Sequence, residues 1–233
     1  MPFVPVRDLN PLKIIKFQYV TIGIIAINVI IYLVFQSKLI MSTPPGFVET
    51  LALKPRDVVP FQAFLRNLPE QYRLVSYTFL HGNFLHLLFN MIFLFVFGDN
   101  VEDALGHYRF ILFYLICGAA AALAHCTLTE TPDLPLIGAS GAISGVVGAY
   151  LLLHPNIRVW VLVPLPKLPF FPARFSAGLV IGVWIFYQFG SAIFLPAVNV
   201  AWWAHVGGFF TGAILVTLMK RRGVRLFDAA TGV

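Results

Sequence analysis

Charge is scarce in this sequence. Only 11% of its 233 residues are Asp, Glu, Lys or Arg, against about 25% in a soluble domain. So few charges cannot dress a water-soluble surface, which argues against an ordinary soluble enzyme. Cysteine is scarcer still, with only Cys117 and Cys126, both in one apolar segment. A helix would hold them about 13 Å apart, too far for a disulfide. No Cys/His spacing suits a metal site, so neither metal nor cofactor is expected. Acidic residues number 10 against 16 Lys and Arg, for a net charge of +6. The cations flank apolar segments, and no basic stripe interleaves with exposed aromatics, so a nucleic-acid partner is not expected. An Arg-rich transit peptide is also lacking. The first apolar run starts near Phe17 and has no small-residue cleavage site, so it reads as a membrane span rather than a signal peptide.

What is present is apolar: 59% of the residues. The runs are long and lack period-two alternation, which favours helices over a barrel. Six candidate spans are predicted, at about 17–36, 84–104, 107–127, 140–154, 175–195 and 200–219. The fold class is therefore all-α and polytopic, with the lipid bilayer as its solvent. Residues 1–16 and 221–233 read as short tails around a 17–220 membrane domain. Residues 37–80 differ from the rest. Pro44, Pro45, Pro55, Pro60 and Pro69 punctuate them, yet Phe47, Leu51, Phe61, Phe64 and Leu65 recur. That mixture predicts a long first loop with short amphipathic helices at the membrane surface. Pro164, Pro166, Pro169 and Pro172 predict a rigid cytoplasmic connector before the fifth span.

The positive-inside bias orients the chain. With both termini in the cytoplasm, the inner segments carry Arg7, Lys13, Lys16, Arg109, Arg158, Lys167, Arg174, Lys220, Arg221, Arg222 and Arg225. The outer segments carry only Lys38, Lys54, Arg56, Arg66 and Arg73. The acidic 99–109 loop dissents, but acids weigh little in this bias.

On that topology the unusual polar residues converge. His81, His86 and Asn90 lie at the start of the second span, Ser140 opens the fourth, and His205 lies about one turn into the sixth. All sit near the outer ends of even-numbered spans. From Ser140 to His154 is roughly 22 Å of helix, short of a hydrocarbon core of about 30 Å. Ser140 is thus expected below the outer surface, in a water-filled dip of the kind hydrolysis needs. Gly141 with Gly145, and Gly208 with Gly212, form small-xxx-small faces. These would let the fourth and sixth spans approach closely enough for a serine–histidine hydrogen bond. His86 and Asn90 share a helix face and could aim donors at an oxyanion. Asp99, Glu102 and Asp103 lie about 18 Å down the helix from that site, so a dyad is expected rather than a triad. Ser144, one turn after Ser140, is a rival nucleophile.

Three motifs in order on three spans resemble the rhomboid family of intramembrane serine proteases. They are His81-x4-His86-x3-Asn90, Gly138-Ala139-Ser140-Gly141 and Ala204-His205-x2-Gly208-x3-Gly212. Tyr72-Arg73 is similar to the Trp-Arg pair of the family's first loop, and Gly98-x3-Glu102-x3-Gly106 to its second-helix exit.

The resemblance implies a six-helix bundle acting as a serine endopeptidase on peptide bonds in or near transmembrane segments. Ser140 would be the nucleophile and His205 the general base and acid. His86, Asn90 and the Ser140 backbone N–H would bind the oxyanion. His81 would be a structural support, Arg73 would anchor the first loop, and Glu102 would fasten the bundle on the cytoplasmic side. Substrates would be single-span membrane proteins entering beside the fifth span. Separately, the lack of targeting signals and of extra spans points to a bacterial-type inner membrane. One departure stands out. The aromatic residue that many rhomboids place four after the serine is here Ser144, so Trp202, Trp203 or a hydrogen bond must orient His205 instead. Two alternatives are a non-proteolytic client-binding relative, which would be expected to lack the serine or histidine, and a six-span transporter. A transporter's polar residues would mark a path through the membrane; here they gather toward one side.

Overall fold

The structure, a computed structural model, describes residues 3–165, 168–195 and 200–228. Among these, five helices are long and apolar enough to cross a membrane. They are α1 with its π-helical extension (Tyr19–Gln36), α2 (Phe84–Leu105), α3 (His107–Leu128), α5 (Ala177–Phe194) and α6 (Trp202–Met219). The remaining predicted span, the fourth, is α4 (Ser140–Leu153), a shorter apolar helix of 14 residues. The protein is an integral, multi-pass membrane protein whose bundle is helical.

Local chemistry sets the helix ends. The Asn83 side chain accepts the His86 N–H at the start of α2, and Ser176 accepts from Leu179 at the start of α5. Gly106, at a φ of +85° that other residues resist, is the single residue between α2 and α3. The acidic 99–109 loop is therefore corrected: helix continues to Leu105, and its acids hold other segments. Glu102, fully buried, accepts from the Val20 and Thr21 N–H groups at 3.0 and 2.8 Å and from Thr21 Oγ1 at 2.7 Å. It also meets His107 Nδ1 at 2.5 Å. Those contacts satisfy amides that the first turn of α1 leaves without helical partners. Asp103 accepts from the backbone N–H groups of Lys13, Ile14 and Ile15.

α4 lies at the centre, packed against α2, α3 and α6. Its contact with α6 is backbone on backbone. A Cβ built on Gly208 would fall on the Gly141 carbonyl, one on Gly212 on the Gly145 carbonyl, and one on Gly148 on the Phe209 carbonyl. The large buried side chains Phe97, Phe110, Phe113, Tyr114 and Tyr150 fill the remaining core. Cys117 and Cys126 are both free and buried. The first loop folds as short helical pieces, among them Phe47–Leu51, Phe61–Arg66 and Arg73–Ser76.

A three-stranded sheet accompanies the bundle. The order is β1 (Val4–Asp8), β2 (Arg158–Leu165), β3 (Leu168–Ser176), all antiparallel. Val4 pairs with Leu162 and Asp8 with Val159; Val159 pairs with Phe175 and Val161 with Ala173. The proline-rich connector is thus corrected to a hairpin, apart from Pro166 and Lys167, which lie outside the described residues. Pro5, Pro169 and Pro172 fall on the two edge strands, where a missing N–H is tolerated. Pro164 sits on the central strand, inside the register shift between Val163 and Leu165. Val159 and Val161 point into the core, and Arg174 lies over the Trp160 ring at 5.0 Å.

Residues 1–16, read as a tail, include β1 and a segment that runs along α2. Asn10 hydrogen-bonds Asn100, and Tyr150 Oη donates to Asp8 at 2.7 Å. At the other end of the chain, Phe227 and Asp228 donate to the carbonyls of Leu152 and Leu153. Residues 229–233 lie outside the described residues.

Candidate active site

Ser140 is the first residue of α4, so its N–H belongs to the turn that a helix leaves unpaired. Gly138 sets up this entry with a φ of +118°. A Cβ there would lie 2.7 Å from the His86 ring, so glycine is needed for conformation and for space. The close approach of α4 and α6 then brings His205 Nε2 to 2.8 Å from Ser140 Oγ. Gly141 is equally confined, since a Cβ there would sit 2.7 Å from that of Ala121 and 3.0 Å from Tyr77 Oη.

His205 is 6% exposed, and its other nitrogen, Nδ1, lies 2.7 Å from Gln188 Oε1 on α5. An amide of α5, rather than a stacked aromatic ring, thus lies against the imidazole. Trp202 meets the ring edge-on at 6.1 Å, and Trp203 packs on Phe189 instead. Sequence reasoning missed Gln188. The signal was available, because it is a lone amide in the apolar run Phe186-Tyr187-Gln188-Phe189.

A cavity of about 310 Å³ is lined by Ser140, His205, Gln188, His86 and Asn90, with Trp202 and Tyr187 at its wall. The Asn90 side-chain NH₂ is buried, with no hydrogen-bond partner among the described residues. The Gly82 N–H donates to His86 Nδ1 at 3.4 Å, which leaves Nε2 of that ring to carry the hydrogen. Both side chains therefore present donors at the cavity. Ser144 Oγ, by contrast, donates to the Ser140 carbonyl at 2.6 Å within its own helix, and is 1% exposed.

The remaining residues stand further out. His81 is buried edge-on against the His86 ring at 5.0 Å. Burial, and then His86, push its imidazole down to about 3, so it is neutral at physiological pH. Arg73 donates to the Thr50 carbonyl at 2.9 Å and pairs with Glu70 at 2.5 Å, and Tyr72 Oη reaches the same carbonyl. That pair clamps the first loop on itself. Glu102 lies at the far end of α2, away from the cavity.

A family model described as the Rhomboid domain matches residues 69–222. The chain belongs to the rhomboid family. It is 34% identical to RHOMBOID-like protein 5 of Arabidopsis thaliana over 146 residues, 63% of this chain and 43% of that protein. It is 31% identical to Rhomboid-like protein 11, chloroplastic, of the same plant, over 66% of this chain and 55% of that protein. Over 89 residues it is 37% identical to Rhomboid protease GluP of Bacillus subtilis (strain 168), 38% of this chain and 17% of that protein. The rhomboid chain described here thus matches about half or less of each relative's length. The matched region 69–222 contains the serine, both histidines of the cavity, Asn90 and Gln188.

Proposed function

We propose that this rhomboid protein is an intramembrane serine endopeptidase acting through a Ser140–His205 dyad. The observation that carries the reading is the 2.8 Å hydrogen bond between Ser140 Oγ and His205 Nε2 inside a cavity with free donors. With Nδ1 protonated against Gln188 Oε1, Nε2 offers a lone pair to the serine O–H. As Oγ attacks a peptide carbonyl carbon, its proton moves to Nε2. The carbonyl oxygen becomes an oxyanion, stabilised by Asn90 Nδ2, His86 Nε2 and the Ser140 N–H. Collapse breaks the C–N bond, and Nε2 returns the proton to the leaving amine. Water, deprotonated by the same nitrogen, then hydrolyses the acyl-serine.

The substrate class in this reading is a single-span membrane protein. Such a helix would reach the cavity beside α5, whose outward residues Phe186 and Phe194 are among the most exposed apolar side chains. Extended backbone is needed at the nucleophile, so small or helix-breaking residues near the cut favour cleavage. Both termini are assigned to the cytoplasm from the Lys/Arg asymmetry. The test is co-expression with a panel of tagged single-span proteins, together with fluorophosphonate labelling of the purified protein. Wild type cleaves and labels; Ser140→Ala and His205→Ala do neither while remaining folded. Labelling that survives Ser140→Ala and is lost in Ser144→Ala would move the nucleophile. A folded wild type that never labels would make this chain a client-binding relative.

A further inference from the structure

Gln188 is a neutral amide in the place where soluble serine hydrolases often put an acid. It is 1% exposed, on a helix whose neighbouring positions are aromatic. Its Oε1 has lone pairs and no hydrogen, so the 2.7 Å contact requires the proton to be on His205 Nδ1. That leaves Nε2 unprotonated toward Ser140. The opposite tautomer would point an N–H at the serine and could not take its proton.

Among the described residues, the imidazole's side-chain hydrogen bonds are those to Gln188 and Ser140. Trp184 is tilted at 35° with its centroid 6.2 Å away, and Trp202 stands nearly perpendicular. Neither stacks on the imidazole. Ser144, at the position one turn after the serine, spends its hydroxyl on the Ser140 carbonyl. Among the described residues, the other titratable groups whose charge reaches His205 are His86 on α2 and His125 on α3, and neither is an acid. Two hydrogen bonds, to Ser140 and to Gln188, therefore fix both the ring plane and the tautomer.

We propose that Gln188 is the positioning residue of this site, holding His205 as the Nδ1–H tautomer and so making Nε2 a competent base. The proposal rests on the Ser140–His205 reading above. A buried glutamine could instead only tie α5 to α6. A mere tie would affect stability and leave the chemistry of the imidazole alone, so the two roles separate in a pH profile.

The experiment measures fluorophosphonate labelling rates against pH for wild type, Gln188→Leu and Gln188→Glu, each purified in detergent with its melting temperature. It adds kcat and KM on one cleaved substrate. Gln188→Leu keeps the volume but cannot accept the Nδ1 hydrogen; labelling and kcat fall about 10²-fold or more, with KM within about twofold. Gln188→Glu keeps an acceptor and recovers most of the rate. Its carboxylate favours the imidazolium, so the acidic limb of the profile moves up by about one pH unit or more. Wild-type rates in Gln188→Leu, or an unmoved limb in Gln188→Glu, would overturn the proposal. Should Gln188→Leu fail to fold, the limb in Gln188→Glu decides alone. A wild type that does not label takes down the dyad itself, which is a different result from a labelled wild type indifferent to residue 188.

Discussion

Gly208 on α6 rests directly on the carbonyl oxygen of Gly141 on α4, one residue beyond the serine. The serine–histidine distance is therefore set by backbone contact between two helices. Membrane helices approach this closely only where side chains are missing, since lipid supplies little drive to bury larger ones.

Gly208→Ala places a methyl group against the Gly141 backbone and the Ala121 Cβ. Neither neighbour is a flexible side chain, so α6 has to back away. The expected cost is roughly 1–3 kcal/mol of stability. Activity falls further than stability, because His205 leaves hydrogen-bond range of Ser140. Melting temperature and labelling rate, measured on the same preparation, check the two effects.

Asn90→Ala and His86→Ala each remove one donor facing the cavity. Each is expected to lower kcat by about 10²–10³ with little change in KM. Steady-state kinetics on a single substrate measures the split; a pure KM effect would assign these residues to substrate binding instead.

Glu102→Ala strands four donors from Val20, Thr21 and His107. Loss of a buried, fully bonded carboxylate is expected to cost on the order of 3 kcal/mol. The melting temperature drops, and specific activity of the surviving folded protein changes little, since Glu102 lies about 18 Å along α2 from Asn90.

Asp8 links β1 to α4 through Tyr150. Burial raises its carboxyl to about 7; the Tyr150 hydroxyl pulls back and the Asp99 carboxylate adds to the rise. The folded protein thus holds a proton that the unfolded chain releases near pH 4. The stabilisation is complete below about pH 4 and is lost as pH rises through about 7. Melting temperature is expected to fall between pH 5 and 8 in wild type and to fall less in Asp8→Asn, which is always neutral.

Much of the site was readable because its residues contradict their surroundings. Ser140, His205, His86 and Asn90 are polar in apolar runs, and helical spacing places the last two on one face. Glycine spacing forecast the α4–α6 contact for a similar reason: a missing Cβ is visible in a sequence. Gln188 was overlooked because one amide has no partner until α5 is laid beside α6. The sheet was misread because proline density marks a loop unless the prolines sit on edges, and edge or centre is a property of pairing.

The sequence by itself determined that this chain lives in lipid, which segments are helical, and which few polar side chains the membrane must accommodate. Those follow from composition and period, which are local. The tertiary structure alone decided that β1 joins the hairpin of residues 158–176, and that Gln188 meets His205. Both are pairings between distant stretches of chain, and a hydrogen bond's partner is chosen by packing in three dimensions rather than by neighbours in sequence.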